Sequence, residues 1–302
     1  MPTSAPLFKT KYGKAFNFSI EDFLSSQHCK NLIGKTDLIF TSPPFPLVSP
    51  KKYGNLVGEE YLEWISKLIP DLIKLLSPKG SLVVEIGNSW NKGEPTMSTL
   101  PLRTLMSIAD AGNLNICQQM VWHNPGKLPG PATWVNVNRE RITDSFTHVW
   151  WYSKSLHPNA DNRKVLNPYT PAMKNLISKK SYNHGDRPSG HKISEKGFLS
   201  DNGGSIPRST LIYANTGFDV EYRDWCKKYR VPQHPARMPI ALAEFFIKFL
   251  TKKGDNVLDP FGGSCTTGRA AENLSRNWVC VEKNKEYLVG AKGRFQSLKG
   301  SK

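Results

Sequence analysis

No Cys-x-x-Cys pair, no Cys/His run with metal-ligand spacing and no long apolar stretch occurs in this 302-residue chain. The five cysteines, Cys29, Cys117, Cys226, Cys265 and Cys280, lie far apart, which argues against structural zinc and for a reduced, intracellular setting. A helical membrane span would need roughly 18 or more apolar residues in a row. None is present, and no apolar signal segment precedes the first motif, so a soluble protein without metal or membrane is expected. Acidic residues are also scarce: 25 Asp and Glu stand against 41 Lys and Arg, a net charge of +16. That sign favours a phosphate backbone as partner. The excess is concentrated, with 14 Lys or Arg and seven Asp or Glu in residues 151–230.

What is present reads as an α/β chain long enough for one full core and a smaller module. Asp37-Leu-Ile-Phe-Thr41 is a short apolar run stopped by Ser42-Pro-Pro-Phe45, the pattern of a buried parallel strand ending in a stiff loop. Apolar residues at three- and four-residue spacing predict a helix over Glu60 to Leu76, then a turn at Ser77-Pro-Lys-Gly80 and a strand over Ser81 to Ile86. A helix from Leu100 to Ala111 and strands at Asn115 to Trp122 and Thr147 to Tyr152 follow. Periodicity then lapses until Val231, in a segment rich in Pro, Gly, Asn, Ser, Lys and Arg that is long for a passive linker. It returns with a helix at Ile240 to Leu250 and strands at Asn256 to Asp259 and Trp278 to Glu282. Three regions result: 1–152, 153–231 and 232–302.

Two motifs carry chemistry. Val257-Leu-Asp-Pro-Phe-Gly-Gly-Ser-Cys-Thr-Thr-Gly268 ends a strand in a glycine turn and opens a helix, yet lacks both GxGxxG and a terminal Gly-Lys-Ser/Thr. It therefore suits a nucleoside without phosphates and counts against a dinucleotide oxidoreductase. Glu282 closes the next strand, at the spacing where an acid accepts hydrogen bonds from ribose hydroxyls. Ser42-Pro43-Pro44-Phe45 offers a hydroxyl and a carbonyl to the two N–H groups of an aromatic amine, which favours the pyramidal, nucleophilic nitrogen, and a ring to face an extruded base. Glu85, at the end of the neighbouring strand, is placed to orient that amine or take its proton. Cys265, inside the glycine loop, reads as a small packing residue. No cysteine sits in the Pro-Cys loop that attack on a ring carbon would need.

Together these motifs resemble the amino-group DNA methyltransferases of restriction–modification systems. The catalytic motif precedes the cofactor motif, as in that family's permuted "beta" arrangement, and the likeness extends through Lys51-Lys-Tyr-Gly-Asn55, Trp122-His-Asn-Pro-Gly-Lys-Leu-Pro129, Arg187-Pro-Ser-Gly-His191, Asp201-Asn-Gly-Gly-Ser-Ile-Pro207 and His234-Pro-Ala-Arg-Met-Pro239. It implies a Rossmann-like S-adenosylmethionine-dependent methyltransferase fold with a loop-rich target-recognition region. It implies methyl transfer from S-adenosylmethionine to N4 of cytosine in duplex DNA, because Ser stands where adenine-specific members carry Asp or Asn. Adenine N6, an RNA or protein amine, and an inactive DNA-binding module remain as alternatives.

The implied catalytic residues are Ser42, Pro43, Pro44, Phe45 and Glu85. The implied cofactor residues are Asp259, Pro260, Phe261, Gly262, Gly263, Ser264, Thr266 and Glu282, with His234 and Pro235 before the pocket helix. Lys51, Lys52, Lys127, Arg187, His191, Lys192 and Ser205 are expected at DNA, and Trp122 with the Asn124-Pro125 turn beside the base. Lys11-Tyr-Gly-Lys14 resembles the family's Tyr-Gly-Asp beside the cofactor adenine, with Lys14 in place of the acid. A monomer in a prokaryotic cytoplasm, paired with a restriction endonuclease, completes the expectation.

Overall fold

The computed structural model describes residues 5–46, 56–195, 197, 199–215 and 219–296. A short hairpin, β1 (Phe8–Lys9) and β2 (Gly13–Phe16), opens the chain and leads to two small helices, α1 (Ile20–Leu24) and α2 (Gln27–Lys30). The side chain of Ser19 accepts from Asp22 N and caps α1. Next come β3 (Thr36–Thr41), α3 (Gly58–Lys74), β4 (Leu76–Gly87), α4 (Leu100–Gly112), β5 (Asn115–His123) and β6 (Phe146–Ser153). Beyond the irregular region lie α5 (Pro171–Lys179), β7 (Gly185–Asp186), β8 (Lys192–Ile193), β9 (Thr210–Ile212) and α6 (Val220–Tyr229). Last come α7 (Ile240–Leu250), β10 (Asn256–Asp259), α8 (Thr266–Asn273), β11 (Asn277–Val281) and α9 (Lys285–Ala291).

Nine strands form one sheet in the order β1-β2-β11-β10-β3-β4-β6-β5-β9. Strands β2, β11, β10, β3 and β4 run parallel, and β6 enters antiparallel to β4. Leu38 and Phe40 of β3 point into one core with Phe246 of α7, while Ile39 points into the other with Ile65 and Leu72 of α3. Both faces are covered, which is why these strands read as continuous apolar runs rather than alternating ones. The Ser77-to-Gly80 turn proves to be an excursion inside β4: Leu76 pairs with Thr36 and Ser81 with Leu38, with the register shifting between them.

The crossover β3-α3-β4 builds the sheet in one direction and β10-α8-β11 in the other, so the strand order reverses between β3 and β10. In a doubly wound sheet the cleft at that switch, outside the carboxyl ends of the strands, is the place for a ligand. Both motifs sit there, although 218 residues separate Thr41 from Asp259.

Residues 161–208 cluster as a small unit apart from the rest. It holds α5, capped by the Thr170 hydroxyl, the β7–β8 hairpin and a bridge between Asn167 and Ser205. Gly204 alone is buried among its described residues. This unit is narrower than the 153–231 region expected. Leu211 is buried where β9 extends the main sheet, and Tyr222 and Cys226 of α6 are buried too, so apolar burial draws residues 209–231 into the larger unit.

Candidate active site

Thr41, at the end of β3, donates from its hydroxyl to Asp259 Oδ1 across the switch at 2.7 Å. Asp259 also accepts from the Thr267 hydroxyl at 2.7 Å and from Phe261 N at 3.1 Å. Burial pushes its carboxyl up to about 6 against the pull of these three bonds. Asp259 thus braces the two strand ends and the first turn of the glycine loop. Gly262 N donates to Val281 O at 2.7 Å, and a Cβ on Gly262 would come within 2.9 Å of Cys280 Cβ. Gly263 adopts φ +48°, and a Cβ there would lie 3.0 Å from His234 Nε2. Cys265 is buried beneath the loop, as expected of a packing residue.

A single cavity of about 850 Å³ opens above these strand ends. Ser42, Pro43, Pro44, Phe45 and Glu85 line one end. His234, Pro235, Asp259, Pro260, Phe261, Gly262, Gly263, Ser264, Thr266 and Glu282 line the other. Every residue expected at the catalytic and cofactor positions therefore faces the same space.

At the first end, the Ser42 hydroxyl donates to Glu85 Oε2 at 2.6 Å. The second oxygen of Glu85, Oε1, is buried without a hydrogen-bond partner. Burial raises the Glu85 carboxyl above its ordinary range, and the nearby Ser42 and Thr147 hydroxyls and the Lys127 ammonium pull it back. The Phe45 ring lies against Gly87, where a Cβ would come within 2.5 Å of it. Trp122, Asn124, Lys127 and Phe146 close this end. Trp122 is buried and fixed by its Nε1 donating to Tyr213 O at 2.8 Å. Asn88 donates to Asp144 at 2.8 Å, and Lys127 pairs with the same carboxylate at 3.3 Å.

At the second end, Glu282 accepts from Gly263 N at 3.0 Å and Asn284 N at 2.8 Å. Each carboxylate oxygen keeps a lone pair for another donor, and burial raises the group's pKa. His234 Nδ1 donates to Ala236 O at 2.5 Å and its ring meets Tyr287 edge to face. Burial lowers the His234 pKa, leaving Nε2 an acceptor. The basic group beneath the loop, Arg294, is already engaged by Ser264 O at 2.7 Å and by Asp219 at 2.5 Å. A ribose-bearing, phosphate-free ligand fits this combination of a carboxylate and close-approaching glycines, with Arg294 and the cavity-lining Arg237 both already paired to Asp219.

Lys14 lies elsewhere. It pairs with Val279, in the middle of β11, and with its neighbours lines a separate recess at the opposite end of the strands. There Tyr12 N and Trp278 Nε1 donate to the buried Glu272. The comparison with a Tyr-Gly-Asp beside the adenine is thereby corrected: Phe18, Ser19, Ile20 and Glu21 reach the cavity instead. Glu282 N bonds to Phe16 O at 3.0 Å, drawing the segment after β2 to the glycine loop. Ser19 at a helix start was the available signal. Asn284, Tyr287 and Arg294 were also missed, and only the Asn284 cap of α9 was visible in the sequence.

Four other DNA candidates belong to the small unit of residues 161–208. Arg187, His191 and Lys192 share the β7–β8 hairpin, in which Arg187 N donates to His191 O at 2.8 Å. His191 and Lys192 are exposed. Ser205 is tied by backbone bonds to Asn167. Lys51 and Lys52 lie outside the described residues.

The model of the DNA methylase family matches residues 36–292, from the start of β3 past the end of α9. The chain belongs to the DNA methylase family. The type II methyltransferase M.PvuII of Proteus hauseri is 43% identical to this methylase over 260 residues, covering 85% of this chain and 77% of the relative. The type II methyltransferase M.BglII of Bacillus subtilis is 27% identical over 265 residues, 87% of this chain and 64% of the relative. A solved structure of the PvuII DNA methyltransferase (cytosine-N4-specific) superposes with a TM-score of 0.77 at 33% identity, covering 97% of this methylase and 89% of that chain. An M1.HpyAVI–SAM complex, 21% identical with a TM-score of 0.56 over 94% of this chain and 99% of that one, shares the fold. The Rossmann-like arrangement expected from the sequence is the one these structures share.

Proposed function

We propose that this methylase transfers a methyl group from S-adenosylmethionine to N4 of cytosine in duplex DNA, as a modification enzyme that protects DNA from a partner restriction endonuclease. The observation that carries this is one cavity lined at one end by Ser42 to Phe45 and Glu85 and at the other by the glycine loop and Glu282. The cytosine-N4 specificity printed for the PvuII enzyme and Ser42 at the head of the catalytic loop support the choice of base. Among the described residues no helix is long and apolar enough to cross a membrane. The net charge of +16 suits DNA, and we place the enzyme, as a monomer, in a prokaryotic cytoplasm where that substrate lies.

S-Adenosylmethionine, when bound, supplies an electrophilic methyl group on a sulfonium. Glu282 would hold the ribose hydroxyls, the backbone at Gly262 and Gly263 would allow close approach, and His234 with Tyr287 would flank the ligand. The target cytosine, turned out of the duplex, enters between Phe45 and the Trp122 and Phe146 side. The Ser42 hydroxyl already donates its hydrogen bond to Glu85, so its lone pairs are free to accept from the amine. The Pro43 carbonyl accepts the second N–H. This pair favours a pyramidal nitrogen, a gain realised as the new bond forms. Bound S-adenosylmethionine would supply the methyl carbon, its carbon–sulfur bond breaking as the nitrogen bonds to it, and one amine proton would pass to Ser42 Oγ while Ser42 hands its own proton along the existing hydrogen bond to Glu85. Arg187, His191 and Lys192, exposed or half-buried on their hairpin, serve duplex recognition, together with Ser205, Lys51 and Lys52.

Incubation with unmethylated duplex DNA and methyl-labelled S-adenosylmethionine, followed by nucleoside mass spectrometry, tests this reading. Labelled N4-methylcytosine is the expected product. N6-methyladenine would replace the base assignment, and no label would remove the function.

A further inference from the structure

The segment joining β5 to β6 has a fixed base and an apolar rim. Its two legs are tied together by Asn124 N to Ser145 O at 2.9 Å, Asp144 N to Gly130 O at 3.0 Å and the Lys127–Asp144 ion pair at 3.3 Å. Asn88 anchors Asp144 to the end of β4 at 2.8 Å. Both legs border the cavity, one through Lys127 and the other through Ser145 and Phe146. Leu128 follows Lys127 directly and is 84% exposed, and Ile142, two residues before Asp144, is 90% exposed. Successive Cα atoms are about 3.8 Å apart, so Leu128, one residue from Lys127, and Ile142, three residues from Ser145, lie on the chain close to residues that line the base-binding end. Val137, farther along the same segment, is 74% exposed. Arg139 and Arg141 follow it and are exposed as well, Arg141 donating to Pro95 O at 2.9 Å and Glu140 O at 2.8 Å.

A lone exposed aliphatic group is ordinary. Two large branched ones, on legs braced against each other beside a pocket and with Arg139, Glu140 and Arg141 just before Ile142, suit a partner that is apolar inside and anionic outside. Duplex DNA from which one base has been withdrawn has that chemistry: the vacated place in the stack is lined by base faces and bordered by phosphates. Extruding a base costs a few kcal/mol of stacking and pairing, which inserted apolar side chains offset.

Building on the proposed function, we propose that Leu128 and Ile142 form a wedge that enters the duplex and fills the gap left by the extruded cytosine, with Arg139 and Arg141 against the flanking phosphates. The wedge stabilises the turned-out state and takes no part in methyl transfer.

The test first maps the methylated cytosine by incubating the wild-type chain with unmethylated plasmid DNA. Two short duplexes are then built around that site, one with the normal guanine opposite the target and one with an abasic position opposite it. Leu128→Ser, Ile142→Ser and the double variant are compared with wild type on both. Expected is a loss in kcat/KM of about tenfold or more for the double variant on the paired duplex, equivalent to about 1.4 kcal/mol of transition-state stabilisation. On the abasic duplex, where no pair has to be broken, its activity should stay within about twofold of wild type. Equal losses on both duplexes, or none on either, would overturn the wedge. A change in sedimentation of the double variant without a difference between the duplexes would assign the rim to contacts between copies of this chain instead. Absence of label from the wild-type chain would remove the function on which the wedge rests, and the wedge with it.

Discussion

Ser42 donates a 2.6 Å hydrogen bond to Glu85 while the carboxylate's other oxygen, buried in the cavity wall, has no hydrogen-bond partner. A hydroxyl whose proton is committed can only accept from an approaching amine, and the Thr147 hydroxyl stands beside the same carboxylate. The pair is therefore polarised in advance toward an N–H-bearing substrate.

Ser42→Ala removes that acceptor without touching the glycine loop. Its single-turnover methylation rate should fall about 10²- to 10³-fold, the scale for losing one preorganised transition-state contact. Calorimetric affinity for S-adenosylmethionine should remain within about twofold of wild type, since the contact is made to the base and not to the cofactor. A parallel loss of cofactor affinity would show that Ser42 shapes the loop rather than the chemistry.

The pH profile follows from Glu85. Burial raises its pKa and Lys127 lowers it. The ionised form accepts the proton, so activity should drop as pH falls, with the acid limb above the ordinary carboxylate range. Lys127→Met removes the opposing charge and should move that limb to still higher pH. Single-turnover rates across the pH range decide this, and a limb that stays in place would detach Lys127 from Glu85.

Gly263→Ala brings a Cβ into the left-handed region and to 3.0 Å from His234 Nε2. KM for S-adenosylmethionine should rise by about tenfold, consistent with a left-handed penalty of about 1–2 kcal/mol. Adding His234→Ala relieves the clash but also removes a group that would flank the ligand, so the double variant should lose less than the two single variants' losses combined. Steady-state titration of the cofactor with each single and double variant measures the coupling.

Asp259 makes native stability pH-dependent. Its folded pKa of about 6 exceeds the ordinary 3.8, so the folded state binds the proton more tightly than the unfolded one. The contribution is fully present below the unfolded pKa and is lost as pH rises through the folded one. Between pH 5 and pH 8 on the order of 1 kcal/mol should disappear from this group. Urea midpoints for wild type and Asp259→Asn at the two pH values check it: the variant should show the smaller change over that interval.

Much of the sheet was legible because its strands are buried on both faces and bounded by Pro and Gly. The helix Ile240–Leu250 and the strand Asn256–Asp259 occur at the bounds read from periodicity. Other elements were hidden. The strand Thr210–Ile212 is only three residues long and buries Leu211 alone, too little for a periodic signal. Helix Val220–Tyr229 carries Glu, Arg, Asp and two Lys, so its two buried positions are masked by solvated neighbours.

Local covalent and steric preference is what the linear sequence determined by itself: a stiff Pro-Pro loop after one strand, a glycine loop after another, an acid after a third. Those features depend on neighbours a few residues away, and the likeness to DNA methyltransferases rests on them. The tertiary structure decided which distant groups share one space. Reversal of strand order at β3 and β10 joins Thr41 to Asp259. Parallel pairing of β2 with β11 carries Lys14 away from the cavity and brings Phe18 to Glu21 toward it. Strand direction and register are collective consequences of burial across the whole sheet, and a one-residue shift turns every side chain to the other face. No local pattern encodes them.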